Sequence, residues 1–304
     1  MRTEGNSLPT SSFFAILFEK LRDYGLLIKF RLNLTVVFSA AFGFLMASPQ
    51  VDAATLWCLC LGGFLVTAAA NGLNEILEKD YDRLMKRTAI RPLAAGRMST
   101  TEAILVSGIC GAVGISILAI FFNELAATLG ALSLVLYAFI YTPFKRLSPV
   151  AVFLGAIPGA MPPLIAWAAA TGSLSTEAYI LFGIQFLWQF PHFWAIGWMG
   201  YDDYKKAGFK LLPTHYDARN RSTAFNILAC TIALCVYAFV PYYIGFAGWF
   251  SLISMLLLGF LFVAAAIQLY RTCTAKAALR VMLTSLLYLP LTQIALLLDK
   301  FFFI

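Results

Sequence analysis

Uninterrupted apolar runs of about twenty residues recur along the chain and constrain its fold more than any other feature. An α-helix needs about twenty apolar residues to cross the hydrocarbon core of a bilayer. Lipid offers the backbone no hydrogen-bond partners, so a spanning segment has to be a helix or part of a closed barrel. The runs are continuous and do not alternate, which favours helices. The 304 residues, 61% hydrophobic and 12% charged, are therefore predicted to form one all-α polytopic membrane domain in the lipid bilayer.

The apolar runs predict nine transmembrane helices. Their approximate limits are 28–47, 55–78, 103–122, 125–142, 150–171, 177–199, 223–246, 249–270 and 279–299. Residues 1–24 carry charges and one short amphipathic stretch, without the pattern of a cleavable signal peptide. We therefore predict a cytosolic N-terminal tail over 1–24 and a membrane domain over 25–304.

Basic residues fall on alternate sides of the predicted spans. The loops after spans 1, 3, 5 and 7 hold no Lys or Arg, whereas the N-terminal segment and the other loops hold nearly all of them, Lys300 excepted. Cytosolic loops carry the excess of Lys and Arg in membrane proteins. The N-terminus is therefore predicted in the cytosol and the C-terminus outside. Topology accounts for most of the net charge of +7, so a nucleic-acid partner is not expected.

The densest polar cluster begins inside the second span. Asn74, Glu78 and Asp82 are spaced i, i+4, i+8 and so share one face of a helix. Oxygen-bearing side chains on one face suit Mg²⁺, which usually takes one or two carboxylates plus substrate phosphates. Arg87 and Arg91 follow closely and supply positive charge for the same phosphates. The alternative is a solvated helix end whose acids and bases pair with one another.

Two further polar elements are predicted on the same membrane face. Asp202 and Asp203 follow span 6, which runs in the same direction as span 2, so they can complete the metal site. Tyr141 and Lys145 end span 4 at helical spacing and, with Arg146, can bind a phosphate if the helix continues past Pro143. The alternative for span 4 is an interfacial aromatic belt with a positive anchor.

Histidine and proline mark two more regions of the predicted bundle. His192 lies in span 6 between apolar residues, and the adjacent Gln189 and Pro191 suggest a helix break with a polar pocket. A structural histidine is the alternative. Span 5 contains two glycines and three prolines, over 155–163, and this pattern predicts an apolar pocket beside the metal site or, alternatively, a kinked packing helix.

Together these motifs resemble the UbiA superfamily of membrane prenyltransferases over roughly residues 25–300. The family pattern Asn-x-x-x-Asp-x-x-x-Asp matches Asn74, Glu78 and Asp82, with Glu in place of the usual Asp at 78, and its Met-x-Arg-Thr-x-x-Arg-Pro-Leu matches 85–93. The family's Tyr-x-x-x-Lys matches Tyr141 and Lys145. The stretches 158–167 and 189–193, and the residues around 203–208, resemble the heme-modifying branch of that superfamily.

The resemblance implies a UbiA-like helical bundle that transfers the farnesyl group of farnesyl diphosphate to a vinyl group of heme b. It implies Mg²⁺ bound by Asn74, Glu78, Asp82 and Asp202/Asp203, and a role for His192 in holding the heme or orienting water. The diphosphate would be bound by Arg31, Arg87, Arg91, Tyr141, Lys145 and Arg146. The N-terminal segment lacks an Arg/Ser-rich amphipathic presequence, so we expect a bacterial inner membrane and not a mitochondrial one. The charge distribution and the longer inner loops place the expected site on the cytosolic side. The resemblance implies heme A synthase or the cytochrome oxidase assembly machinery as partners.

Two other functional classes stay open on the sequence. One is a UbiA-type enzyme that prenylates a quinone or chlorin precursor, because the acidic motif is shared across the superfamily. The other is a heme carrier or transporter without chemistry. A transporter more often shows internal pseudo-symmetry and charges near mid-membrane, whereas the acidic residues here are predicted at one rim.

Overall fold

A computed structural model describes residues 13–48, 50–213 and 218–302, and these segments are mainly helical. The helices are α1 Phe13–Leu27, α2 Phe30–Ala47, α3 Ala53–Asp82, α4 Thr100–Phe121, α5 Glu124–Val135, α6 Thr142–Leu147, α7 Ala151–Thr171, α8 Thr176–Met199, α9 Tyr201–Lys206, α10 Arg221–Tyr237, α11 Phe239–Tyr243, α12 Trp249–Thr272 and α13 Ala275–Phe302. A π-helical segment, Leu136–Tyr141, joins α5 to α6. The all-α prediction is confirmed.

Eight helical segments in the described part of the chain are long and apolar enough to cross a membrane. They are α2, α3, α4, the continuous run from α5 to α6, α7, the run from α10 to α11, α12 and α13. The ninth predicted span corresponds to α8, which has 24 residues and packs within the same bundle. Helix α8 carries the polar side chains of Gln185, Gln189 and His192 and is not among the eight, so the count of nine is approximate.

Helix α7 is continuous although Pro158, Pro162 and Pro163 lie inside it. A proline donates no backbone hydrogen bond, so the carbonyl four residues earlier loses its helical partner. Gln185 Nε2 donates to Gly159 O at 2.8 Å, which replaces the donor missing at Pro163. Ser133 Oγ donates to Pro158 O at 3.3 Å and replaces the donor missing at Pro162 in the same way. Side chains of neighbouring helices thus satisfy the freed carbonyls at membrane depth.

Helix α8 also continues through its proline, and the predicted break at Pro191 is wrong. The polar side chains before it are used in packing, since Gln189 Nε2 donates to Ala156 O of α7 at 3.0 Å. The bundle surrounds these contacts with apolar side chains, among them buried Trp198 and Phe262. Helix α8 is therefore helical through Pro191 while its side chains pack against neighbouring helices.

Helix α1 continues to Leu27, past residue 24, where we predicted the N-terminal tail to end. Residues 1–12 of the predicted tail lie outside the described part of the chain. The Arg97 guanidinium binds Asp23, with Nη2–Oδ1 at 2.9 Å, and Lys20 Nζ lies 3.0 Å from Glu102 Oε1. Tyr24 Oη donates to the same Glu102 oxygen at 2.8 Å. These polar contacts attach α1 to the start of α4 and the loop before it.

The opposite end of the bundle is fastened by two adjacent residues of α13. Asp299 is fully buried, and its Oδ2 accepts hydrogen bonds from the backbone N–H groups of Gly248 and Ser251, where α12 begins. Lys300 Nζ donates to the carbonyl oxygens of Leu45, Met46 and Ser48 at 2.8–2.9 Å, where α2 ends. An acid at a helix start and a base at a helix end are the favourable arrangement for the helix dipole.

Candidate active site

Three segments that carry predicted site residues meet at one end of the bundle. The end of α3 contacts α9 because Arg87 Nη2, in the loop after α3, donates to the hydroxyl of Tyr204 at 3.1 Å. The end of α6 contacts the same region because the backbone N–H of Lys210 donates to the carbonyl of Lys145 at 2.6 Å. The prediction that these motifs emerge on the same side of the bundle therefore agrees with the structure.

The polar face of α3 is buried at this end. Asn74, Glu78 and Asp82 are 1%, 4% and 0% exposed. The helix runs without interruption to Asp82, so the three side chains stay in line as the spacing predicted. Burial of two carboxylates is costly unless each has a charged or hydrogen-bonding partner.

Each of these three side chains is paired with a cation from a different segment. Lys29 Nζ donates to Asn74 Oδ1 (2.7 Å), Lys145 Nζ donates to Glu78 Oε1 (2.8 Å), and Arg91 Nη1 donates to Asp82 Oδ2 (2.6 Å). Charge-assisted bonds of this length are among the strongest in proteins. The cluster, which we call the acid–base cluster, therefore holds three cations beside three buried oxygen ligands.

The π-helical segment sets the position of Lys145. The backbone N–H and the hydroxyl of Thr142 both donate to Tyr137 O, five residues earlier, and the helix then continues through Pro143. Asn74 Nδ2 donates to the Thr142 hydroxyl at 3.0 Å, which ties this segment to α3. Lys145 Nζ lies 4.5 Å from the ring centre of Tyr141. A π-helical turn is rare and often found at functional sites.

The loop after α3 brings Arg91 back to Asp82. Glu75 is fully buried, and its Oε1 accepts a hydrogen bond from the backbone N–H of Leu93 at 3.2 Å. The Thr88 hydroxyl donates to the Asp82 carbonyl at 3.0 Å. These two bonds hold both sides of the loop that carries Arg91.

Two cations of the acid–base cluster respond differently to burial. Burial, with the positive charges of Arg91 and Lys145 nearby, lowers the pKa of Lys29 to about 7. Burial also acts to lower the pKa of Arg91, but the Asp82 carboxylate beside it raises that pKa above its ordinary value. The Asp82 carboxylate thus favours the charged form of Arg91, whereas burial and the neighbouring cations oppose the charge on Lys29.

An apolar cavity opens next to the acid–base cluster and extends along α3 toward the opposite end of the bundle. It encloses about 840 Å³ of empty space, including its open mouth. Asn71, one helical turn before Asn74, and Tyr137 lie at the polar end, and Leu59 lies at the far end. The distance from Asn71 to Leu59 along the helix is about 18 Å at 1.5 Å per residue. Pro158, Gly159 and Pro162 of α7 line one wall, so the apolar pocket predicted from this proline-rich span is present.

The sequence matches the model of the UbiA prenyltransferase family over residues 36–289. The chain belongs to the UbiA prenyltransferase family. Protoheme IX farnesyltransferase of Cytophaga hutchinsonii is 48% identical to this UbiA family member over 284 residues, 93% of this chain and 99% of the relative. Several further relatives bear the same name.

Solved structures share the fold of this family member. A digeranylgeranylglyceryl phosphate synthase superposes with a TM-score of 0.76 at 20% identity, covering 92% of this chain and 98% of that one. A UbiA homolog from Archaeoglobus fulgidus bound to GPP and Mg²⁺ superposes with a TM-score of 0.64 at 16% identity, covering 90% and 99%. The predicted UbiA-like bundle is confirmed.

The oxygen ligands on α3 suit a divalent cation that is shared with a substrate. Asp82 Oδ1 is buried and has no hydrogen-bond partner among the described residues, so it can accept a cation without losing a bond. No three His, Cys, Asp or Glu side chains of the described segments lie close enough to hold a metal ion by themselves. Mg²⁺ rarely uses an all-protein cage and usually completes its shell with phosphate oxygens and water. The donor set therefore fits Mg²⁺ that arrives with a diphosphate.

Asp202 and Asp203 stand apart from the acid–base cluster in this structure. Asp202 has a 75% exposed side chain and pairs with Arg219, Nη2–Oδ2 2.9 Å. Asp203 pairs with Lys206 in the next turn of α9, Nζ–Oδ1 3.7 Å. Helix α9 is at the correct end of the bundle, but these two ion pairs direct both carboxylates to neighbours outside the cluster.

The remaining predicted site residues lie at different depths. Arg87 and Arg146 are at the rim, where Arg87 donates to Tyr204 and Arg146 donates to the hydroxyl of Tyr81. Arg31 is exposed in the first turn of α2. His192 is buried on α8, and its Nδ1 lies 2.7 Å from the Ser285 hydroxyl of α13, so its described hydrogen bond is not to the acid–base cluster.

Sequence reasoning missed Lys29, Thr142 and Glu75 as parts of the site. The charge pattern accounts for Lys29 as a topology charge, although a lysine at the entrance of the first span could have indicated a site residue. Its backbone is left-handed, φ 49°, which turns the chain between α1 and α2 and directs the side chain to Asn74. Thr142 and Glu75 carry no spacing signal, because their partners are set by the π-helical turn and by the loop.

Proposed function

We propose that this chain transfers the farnesyl group of farnesyl diphosphate to a vinyl group of heme b and releases heme O and diphosphate. The observation that carries the proposal is the opening of a long apolar cavity one helical turn from a buried acid–base cluster. An isoprenoid diphosphate has these two parts, an apolar chain and a polyanionic head, joined at the carbon that reacts. The names of the relatives support heme b as the acceptor.

The cavity holds the farnesyl chain, and the acid–base cluster holds the diphosphate. Lys29, Lys145 and Arg91 are paired with oxygens of α3 before substrate arrives, and they exchange these partners for phosphate oxygens when it binds. Arg87 and Arg146 lie at the rim and, with Arg31 and the Tyr141 hydroxyl, complete the anion site from outside. The distance from Asn71 to the far wall of the cavity limits the length of the isoprenoid chain that can bind.

Asn74, Glu78 and Asp82 hold Mg²⁺ once their cations have turned to the phosphates. Asp202 and Asp203 supply further oxygen ligands if α9 closes over the bound substrate. Support comes from the partnerless Asp82 Oδ1 and from the solved UbiA homolog that holds Mg²⁺ with GPP. Bound Mg²⁺ supplies charge neutralisation for the departing diphosphate.

The reaction breaks the C1–O bond of farnesyl diphosphate and forms a carbon–carbon bond. The electron pair of the C–O bond leaves with the diphosphate, where Lys29, Arg91 and Lys145 stabilise the developing charge. The vinyl group of heme b attacks C1 and leaves a cation on its inner carbon. Water adds there and loses a proton, which gives the hydroxyethylfarnesyl group. The apolar wall around C1 keeps water away until the new carbon–carbon bond has formed.

The chain is an integral membrane protein, and we place it in a bacterial inner membrane with its N-terminus and acid–base cluster on the cytosolic side. The support is the distribution of Lys and Arg, which lie mainly at the end of the bundle where α3, α6 and α9 meet. Heme A synthase or the cytochrome oxidase assembly machinery, which would consume the product, are the proposed partners.

Product analysis with competing acceptors tests the proposal. Membranes that contain the protein are incubated with farnesyl diphosphate, Mg²⁺, heme b and a quinone precursor, and the products are identified by mass spectrometry. We expect heme that is heavier by one farnesyl group and one hydroxyl group. Prenylation of the quinone precursor alone would support the other UbiA-type activity, and recovery of unchanged, bound heme would support a carrier.

A further inference from the structure

His192 of α8 is joined to α13 by a short hydrogen bond in the interior of the bundle. Its side chain is largely buried, at 8% exposure of the residue, and Nδ1 lies 2.7 Å from the hydroxyl oxygen of Ser285, which is fully buried. Within the described residues Nδ1 takes part in a hydrogen bond, whereas Nε2 takes part in none. An imidazole with one nitrogen fixed in this way has a defined orientation.

The position of one proton follows from a second contact of the same hydroxyl. Ser285 Oγ lies 2.6 Å from the backbone carbonyl oxygen of Met282, one turn earlier in α13. A carbonyl oxygen carries no proton, so the hydroxyl proton of Ser285 must lie on this bond. The Ser285 oxygen is then an acceptor toward His192, and the proton between them belongs to Nδ1. This leaves the lone pair of the imidazole on Nε2.

Ser285 also fixes the aromatic ring that lies against the imidazole. The indole N–H of Trp188 donates to the backbone carbonyl of Ser285 at 2.7 Å. The rings of Trp188 and His192 are stacked, with centres 4.7 Å apart and planes 19° apart. One residue of α13 thus holds two stacked rings of α8, one by its hydroxyl and the other by its carbonyl.

We infer that Ser285 is a positioning residue that keeps His192 protonated on Nδ1 and presents Nε2 to the iron of a heme. A histidine that binds a metal almost always donates its other N–H to an oxygen acceptor, and this partner sets its tautomer and its orientation. The inference rests on the proposed function for the identity of the heme. It adds a residue outside the recognised motifs and assigns His192 to iron binding, not to the activation of water.

Heme titration without the second substrate tests this role directly. The full-length protein in detergent is titrated with ferric heme b in the absence of farnesyl diphosphate and Mg²⁺, and the absorption spectrum and the affinity are recorded. We expect an imidazole-ligated spectrum for the wild type and its loss in His192→Ala, restored by added imidazole. Ser285→Ala should weaken heme binding by about 10- to 100-fold, as loss of such a partner usually does.

Matched variants separate positioning from packing. Thr292→Val removes another buried hydroxyl of α13 and should leave the heme spectrum unchanged. Ser285→Thr keeps the hydroxyl and should retain wild-type ligation, and melting temperatures check that each variant is folded. If Ser285→Ala does not fold, Ser285→Cys keeps the volume with only a weak hydrogen-bond partner.

Two results would overturn the inference. An unchanged spectrum and affinity in His192→Ala would exclude iron binding by this histidine. Loss of ligation in His192→Ala with wild-type behaviour in folded Ser285→Ala would exclude a positioning role for Ser285. Turnover of the wild type is measured separately. If no heavier heme is formed, the proposed transferase activity fails; if heme is not ligated by His192, the present inference fails.

Discussion

Gly63 lies in the wall of the apolar cavity, and leucine at this position is predicted to shorten the isoprenoid that the protein accepts. A Cβ atom built at Gly63 meets no atom within 4 Å, so the new side chain enters empty space and does not strain the bundle. Gly63 precedes Asn71 by eight residues, which is about 12 Å along α3 at 1.5 Å per residue. This places the substitution beside the last of the three isoprene units of a farnesyl chain.

The expected effect follows from the apolar contacts that the last unit loses. Each buried CH₂ contributes about 0.8 kcal/mol, so exclusion of a five-carbon unit costs about 4 kcal/mol. At about 1.4 kcal/mol per factor of ten, kcat/KM for farnesyl diphosphate should fall by about 10³-fold. Geranyl diphosphate lacks this unit and should lose little, so the preference between the two substrates should change by nearly the same factor.

The assay measures the prenylated heme formed from each diphosphate separately, for the wild type and Gly63→Leu. The matched control is Gly108→Leu on α4, where a Cβ also meets no atom within 4 Å but the residue is exposed on the bundle surface. The control should retain the wild-type preference. An unchanged ratio of farnesyl to geranyl transfer in folded Gly63→Leu would mean that the chain does not occupy this cavity.

Three other substitutions test separate parts of the account. Asp82→Asn should lower turnover by at least about 100-fold while the protein remains folded in detergent, because an anionic ligand of the Mg²⁺ that neutralises the leaving group is lost; wild-type turnover would contradict the metal role. Lys29→Met should raise KM for farnesyl diphosphate by about tenfold or more through loss of one charge-assisted bond, measured by initial rates, whereas an unchanged KM would place the diphosphate elsewhere. Asp299→Ala should lower the melting temperature by several degrees, corresponding to about 1–3 kcal/mol for two buried donors left without an acceptor; turnover per folded molecule should be unchanged, and a loss of turnover would contradict a purely structural role.

The parts of the site that could be predicted from sequence are those set within a single helix. The i, i+4, i+8 spacing of Asn74, Glu78 and Asp82 fixes their common face whatever surrounds α3, and the structure places all three together. The charge distribution predicted which loops share one end, because bilayer topology acts on each loop separately. The apolar character of the chain was likewise sufficient for the all-α architecture.

The parts that could not be predicted depend on contacts between helices. Proline suggested a break in α8, but neighbouring side chains hold the helix, and in α7 Gln185 satisfies the carbonyl that Pro163 leaves without a donor. The pairing of Lys145 with Glu78 requires a π-helical turn, which shifts the register by one residue and has no composition signal. The amino-acid sequence likewise does not predict ion pairs between separate segments, such as the pair of Arg219 with Asp202.

An experimental structure with Mg²⁺ and an unreactive thio analogue of farnesyl diphosphate would test the central claim most directly. The account predicts the diphosphate within hydrogen-bond distance of Lys29, Arg91 and Lys145, and the farnesyl chain in the cavity from Asn71 past Gly63. A diphosphate bound at the end of the bundle where Asp299 and Lys300 lie, or a chain outside the cavity, would contradict it.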